Sequence, residues 1–343
     1  MSSNIEIAGL EVKRGTKRRG YLRVGPYFYH KRAYIRRFVL IPITIINGSD
    51  KGPVLVQTAG THPTEYSGID ATIKLSNTIK PEELKGTVIT VPCINTPGFY
   101  ERTYINPIDG KNIQGLYPGK LKGTISDMMA YKVFNEIILK ADYFMDCHGS
   151  DIHESNLWNF TYYGTNDDIE KKSLAIGRAS GLKYLQRSYY PGALGMEAAK
   201  KHKIGGLYEL CSGDRLLPEE SSAIVDCTLN IMSHLDMLKV EPKEIKNQPG
   251  TIEGQKEELW ASSINTYFTK SGIYHQYVKR GDLVEKDQVV GNVTNFWGEV
   301  VETIRAPGTG RVGILIHNPV VNPGDAAIIV NSTKRGPSPG EPF

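Results

Sequence analysis

Cysteine is scarce and scattered: Cys93, Cys147, Cys211 and Cys227 are the only four in 343 residues, and no two form a CxxC pair. That spacing excludes the common structural zinc knuckles. The N-terminus, MSSNIEIAG, lacks a basic-then-apolar leader, so buried reduced thiols are expected rather than a disulfide framework. No apolar run approaches the roughly 20 residues that span a bilayer, so no membrane partner and a cytoplasmic location are expected. A dominant charge is missing as well: a net charge of +4 is too small to imply a nucleic-acid partner. One local basic excess, KRGTKRRGYLRVGPYFYHKRAYIRR, interleaves with aromatics, and strand alternation with a solvated charged face accounts for it.

Glycine and proline are plentiful, at 35 and 19, which suits a loop-rich globular chain. YIRRFVLIPITIIN and VLVQTAG read as strands, SGIDATIKLSNTI as a helix and GTVITVPCIN as a further strand. Strand, helix, strand at these lengths implies a parallel pair within an α/β sheet. The pattern returns in the helix SDMMAYKVFNEIILKA, the strand DYFMDCHG, the strand GGLYELC and the long helix PEESSAIVDCTLNIMSHLDML. From about residue 255 the chain changes to short β-branched runs separated by turns such as KRGD, APGTG and NPGD. The expected organisation is a catalytic-type α/β domain over 1–250, a β-rich domain over 255–333 and a disordered tail over 334–343.

The candidate chemistry begins at TAGTHPTEYSG, where His62 and Glu65 follow the C-terminal end of a predicted parallel strand. Open α/β sheets place their ligands at that edge. Three residues apart on a helical turn, an imidazole nitrogen and a carboxylate oxygen can converge on one point, and a divalent metal explains such convergence. Zinc takes nitrogen and oxygen ligands, with three from protein and a fourth position for water in catalytic sites. His148, in FMDCHGSD, is the best third ligand because it too ends a predicted strand. Asp146 could orient it, and His153 in the following loop is a weaker candidate. Taken singly, each is an ordinary loop residue; the joint pattern of HxxE and DxH at one sheet edge is what carries the reading.

AGTHPTEYSG, NTPGFYERTYINPIDGKNIQGLYPG, DCHGSD and GGLYEL, in order and spacing, resemble the succinylglutamate desuccinylase and aspartoacylase family, relatives of the zinc carboxypeptidases. SGIYHQYVKRGDLVEKDQVVGNV and IRAPGTGRV resemble the family's β domain, so the likeness covers nearly the whole chain. It implies a carboxypeptidase-like mixed sheet flanked by helices, followed by a smaller all-β, barrel-sandwich-like domain. It also implies one Zn2+ per chain on His62, Glu65 and His148, with Glu209 as the general base acting on water. The implied reaction cleaves the amide of a small N-acyl amine or N-acyl amino acid.

Two departures stand out. Pro63 replaces the glycine usual after the first histidine, which a fixed φ near −65° tolerates. DGKNIQGLYPG puts Gln114 where the family has asparagine and Gly115 where it has the arginine that binds a substrate carboxylate. Glycine cannot supply a bidentate cation, so recognition of a free α-carboxylate needs another source. Arg102 is one, with Lys111 and Lys120 as alternatives, while Asn95, Asn112 and Gln114 are expected to line the substrate pocket. A metallocarboxypeptidase and a catalytically silent binding protein are competing readings; retention of all four metal and acid/base positions argues against silence. The β domain has no lysine between Lys286 and Lys334 to carry a prosthetic group, so its expected role is structural, covering the site edge or mediating homo-oligomerisation.

Overall fold

The computed structural model describes residues 4–28, 36–164, 167–251 and 255–334. From residue 335 the expected tail lies outside the described residues, as does part of the basic and aromatic stretch, residues 29–35. Nine strands form the main sheet: β1 (Thr16–Phe28), β2 (Arg36–Asn47), β3 (Asp50–Ala59), β4 (Lys85–Val91), β5 (Tyr143–Gly149), β6 (Asn159–Tyr163), β7 (Tyr184–Ser188), β8 (Ile204–Cys211) and β9 (Glu258–Trp260). Their order across the sheet is β9-β7-β6-β8-β5-β3-β4-β2-β1. The neighbours β4-β3, β3-β5 and β5-β8 are parallel, whereas β2-β4 and β8-β6 are antiparallel, so the sheet is mixed.

Continuous apolar runs place the central strands between two cores. Leu55 of β3 packs on one face and its neighbour Val56 on the other, both fully buried. Each such side chain contributes roughly 1.5–3 kcal/mol. Helices α1 (Tyr66–Thr78), α4 (Asp167–Ala179) and α6 (Pro218–His234) cover the Leu55 face. Helices α3 (Ile125–Glu136) and α5 (Leu194–Lys200) cover the Val56 face, while the short α2 (Thr96–Glu101) follows β4. A capping box starts α3: Asp127 accepts from the Thr124 backbone and hydroxyl at 3.0 and 2.9 Å. Edge strand β1 behaves as alternation predicts, with Leu22 and Val24 buried and Tyr21 and Arg23 facing out.

β9 extends the main sheet beyond residue 255, pairing parallel with β7. The rest of the C-terminal part forms two antiparallel sheets around Tyr274, Val293, Val312 and Ile328. One of them also pairs with Glu154–Asn156, a short strand just after β5, matching Asn156 to Ile314 and Glu154 to Ile316. That pairing draws the C-terminal part against the edge where β5 ends. Among the described residues no helix is long and apolar enough to cross a membrane. All four cysteines are free and buried, and burial pushes their thiols up, that of Cys93 to about 12, so none is a ready thiolate.

Candidate metal centre and active site

β3 ends at Ala59, and Gly60 turns the chain with φ +64. A Cβ there would sit 2.9 Å from the Cys93 Cα, so the turn needs glycine. His62-Pro63-Thr64-Glu65 closes as a tight turn in which the Glu65 N–H donates to the His62 carbonyl at 3.2 Å. Glu65 itself is non-helical, with φ −85 and ψ 63, and α1 starts one residue later. The pair therefore converges through a turn ahead of the helix, where spacing alone suggests the helix's own first turn. His148, near the end of β5, lies in register beside Glu209 of β8.

The structure brings His62, Glu65 and His148 together, each nearly or fully buried, with ligating atoms all within 4.8 Å. His62 Nε2 lies 3.0 Å from Asn112 Oδ1, and the same oxygen accepts from the Gln114 N–H at 2.9 Å. An oxygen that accepts there requires His62 Nε2 to carry the proton. His148 Nε2 lies 2.9 Å from Asp146 Oδ2, again an acceptor, and the Thr58 hydroxyl donates to Asp146 Oδ1 at 2.6 Å. In their neutral forms both rings thus turn a bare Nδ1 lone pair onto Glu65: 3.1 Å to Oε1 from His62 and 3.3 Å to Oε2 from His148.

Lone pairs facing lone pairs call for a positive charge between them. Glu65 Oε2 is buried without a hydrogen bond of acceptable geometry, despite its closeness to His148. Burial pushes the Glu65 carboxyl up, but the two imidazoles outweigh it and hold it below its ordinary value. Burial likewise opposes charge on His148, and Asp146 and Glu65 more than reverse that, holding its pKa well above the ordinary imidazole value. Two imidazole nitrogens, a carboxylate and ordered second partners fit a zinc-class divalent ion.

Glu209 lines the same cavity of 370 Å³ as His62 and His148. Burial pushes its carboxyl up to about 8, with the His148 charge pulling the other way. A bound divalent cation would pull it down further. Its Oε2 accepts from Asn156 Nδ2 at 3.2 Å, and among the described residues Oε1 has no hydrogen-bond partner.

The other sequence candidates are spread more widely. Gln114 lines the cavity with its Oε1 unpartnered, whereas Asn112 stands behind His62. Asn95 is fully buried as the cap of α2, accepting from the Gly98 N–H at 3.1 Å, and exposed Arg102 ends that helix; neither lines the cavity. Lys111 is paired with Asp127 at 2.9 Å. A side-chain carbon built at Gly115 would meet only Tyr190 Oη, 3.7 Å away, so a tyrosine hydroxyl borders the space an arginine would fill. Among the described residues the one permanent cation on the cavity wall is Arg187, which pairs with Glu170 at 3.0 Å.

Several residues of the site had no mark in the sequence. Tyr104 stacks on the His62 ring, centroids 4.0 Å apart, and only its place in YERTYINP hinted at the loop. Asn156 holds Glu209 from an unremarkable SNLW segment. Ser263 and Asn331 reach the wall from the C-terminal part: Gln186 Nε2 donates to Ser263 Oγ at 2.9 Å, and Ser263 Oγ donates to Asn331 Oδ1 at 2.7 Å.

The family model of the Succinylglutamate desuccinylase/Aspartoacylase catalytic domain matches residues 51–235, more than half of the chain. The protein belongs to the succinylglutamate desuccinylase/aspartoacylase family. A relative from Halomonas elongata, N-alpha-acetyl-L-2,4-diaminobutyric acid deacetylase, is 26% identical over 301 residues, covering 85% of each chain. The product-bound ectoine utilization protein EutE (DoeB) from Ruegeria pomeroyi superposes with a TM-score of 0.82 at 20% identity, over 92% of this chain and 95% of that one. A succinylglutamate desuccinylase/aspartoacylase structure from Rhodobacter sphaeroides gives 0.81 at 22%, over 93% and 96%. At these identities the structural likeness bears on the fold, and the fold of this chain is that of the family.

Proposed function

We propose that this family member is a zinc-dependent deacylase with one zinc on His62, Glu65 and His148. In this reading it hydrolyses the amide of a small N-acyl amino acid or N-acyl amine. The observation that carries it is the pair of imidazole Nδ1 atoms, 3.1 and 3.3 Å from the two oxygens of one buried carboxylate, beside a second carboxylate, Glu209, on the same cavity. When bound, the cation supplies Lewis acidity, polarising an amide carbonyl and lowering the pKa of water to about 7.

Glu209 supplies the proton traffic. With Oε2 held by Asn156, its free Oε1 takes a proton from the attacking water and returns it to the leaving nitrogen. Tyr104, half-buried and stacked on His62, shields one face of that ring, and burial pushes its phenol far above its ordinary value, so it stays neutral. Gln114 and the Gln186, Ser263 and Asn331 wall supply uncharged donors and acceptors to the substrate. Tyr190 beside Gly115 takes a weaker, neutral part in place of an arginine clamp. The deacetylase named among the relatives supports an acylated amino acid as the substrate class.

The test is Glu209→Gln, assayed with zinc-loaded protein on a panel of N-acyl amino acids. Zinc content should stay at the wild-type level while turnover falls ~10²–10⁴-fold. Unchanged turnover would remove Glu209 from this role, and a wild-type protein inert even after zinc addition would remove the deacylase reading.

A further inference from the structure

His153, a weaker candidate for the buried centre on sequence, shares no ligand group with His62 or Glu65 among the described residues. It stands instead with Asp214 and His317, and the ligating atoms of these three lie within 4.8 Å of one another. His153 Nδ1 is 3.3 Å from Asp214 Oδ2, and His317 Nε2 is 3.7 Å from Asp214 Oδ1. Tetrahedral zinc at its usual bond lengths holds neighbouring ligand atoms about 3.3 Å apart, so the spacing suits a metal. Among the described residues no side-chain hydrogen bond joins the three, although they stand at ion-pair distance. The rings of His153 and His317 meet edge to face with centroids 6.2 Å apart.

The three come from three different segments. His153 follows β5, Asp214 follows β8, and His317 follows the C-terminal strand Gly310–Ile316. Backbone pairing sets the first against the third, because the His317 N–H donates to the His153 carbonyl at 2.7 Å. Asp214 is tied in turn to the metal-centre turn, its N–H donating to the Thr64 carbonyl at 3.0 Å. The side chains are 49%, 35% and 21% exposed, so an ion can enter from solvent and keep water as a further ligand. The adjoining cavity of 520 Å³ is lined by His153 with Asp151, Glu154 and Asp325, carboxyls that concentrate cations when ionised, although burial pushes Asp151 up and Glu154 up to about 7 and Arg215 beside Asp214 opposes the field.

We infer that His153, Asp214 and His317 form a second divalent-metal site, of zinc-class ions, which ties the loops after β5 and β8 to the C-terminal sheets. It shares no ligand with the buried centre and needs no part of the proposed reaction.

The experiment counts zinc on the full chain. Protein stripped with chelator is brought to equilibrium by dialysis against buffered Zn2+, and bound metal is measured for wild type, His317→Ala, Asp214→Asn and His148→Ala. Two equivalents are expected in wild type and one in each junction variant. The His148→Ala protein should retain one, lost again in the His148→Ala/His317→Ala double variant. Zinc should also raise the melting temperature of His148→Ala and not that of the double variant. A wild type that binds one equivalent, kept in both His317→Ala and Asp214→Asn, overturns the second site. One equivalent that is lost in those two variants and kept in His148→Ala supports the junction site and fails the buried one, so the two readings separate even if His148→Ala proves unstable.

Discussion

The two histidine-carboxylate clusters offer a metal the same donors and differ in almost everything around them. At the sheet edge the side chains are 0–7% exposed and sit on strand ends or in a tight turn; at the junction they are 21–49% exposed and sit in loops. The buried imidazoles each have their second nitrogen fixed, by Asn112 and by Asp146, whereas among the described residues His317 Nδ1 has no hydrogen bond of good geometry. Ligand identity thus gives a place to bind, and the surrounding shell decides how strongly and for what purpose. An enclosed, preorganised site suits chemistry, and an open one between segments suits a tie.

The comparison breaks most sharply at Glu65, the one carboxylate both buried rings face. Glu65→Ala should abolish zinc at the sheet edge and hydrolysis with it, while the junction keeps its equivalent. Full zinc content and turnover in that variant would mean that the convergence at 3.1 and 3.3 Å has no metal-binding consequence. A smaller effect is expected one step out. Asp146→Asn leaves all three ligands in place and loosens only the hold on His148 Nε2, so zinc affinity should fall ~10–100-fold, read by competition with a chromogenic chelator. Affinity equal to wild type would show the strand, and not the carboxylate, to be what aims the ring.

Much of the buried centre was legible because its residues lie close in sequence or end predictable strands. His62 and Glu65 follow the apolar run VLVQ, and Asp146 and His148 close the run FMDCHG, so strand periodicity alone puts both at one edge. Glu209, at the end of GGLYEL, is legible through the family resemblance, which the cost of burying a carboxylate on an apolar strand supports. What escaped depends on contacts that no local pattern encodes. Asn156 matters because a three-residue strand pairs with a segment about 160 positions away, and that same pairing sets residue 153 against 317, with Asp214 brought to them through its bond to the Thr64 carbonyl. β6, β7 and β9 are not legible as strands of the main sheet for a related reason: NFTYY reads equally as loop aromatics, and YLQRS and ELW are too short to show a period. Asn112 illustrates the opposite error, a polar residue near the pocket whose oxygen is already committed to His62 and to the Gln114 backbone.

The faintest test of the contrast lies farther back still, at Asp127. Its carboxylate closes the capping box of α3 and accepts from Lys111 at 2.9 Å, next to the Asn112 that fixes His62. Burial pushes the Asp127 carboxyl up, but the Lys111 ammonium and the Thr124 donors outweigh it and hold it below its ordinary value. A depressed folded value means stability that is present above the ordinary carboxylate range and is lost as pH falls through the folded value. Asp127→Asn should therefore cost ~1 kcal/mol in urea unfolding at neutral pH, and the difference from wild type should shrink as the buffer is taken below the ordinary value of 3.8. Because the loop behind His62 is anchored there, zinc affinity at the buried centre should weaken slightly, by less than Asp146→Asn causes, with none at the junction. A variant whose destabilisation is the same in acid as at neutral pH would show that the ionised carboxylate is not what holds this loop. The preorganisation of His62 would then rest on Asn112 and Tyr104 alone.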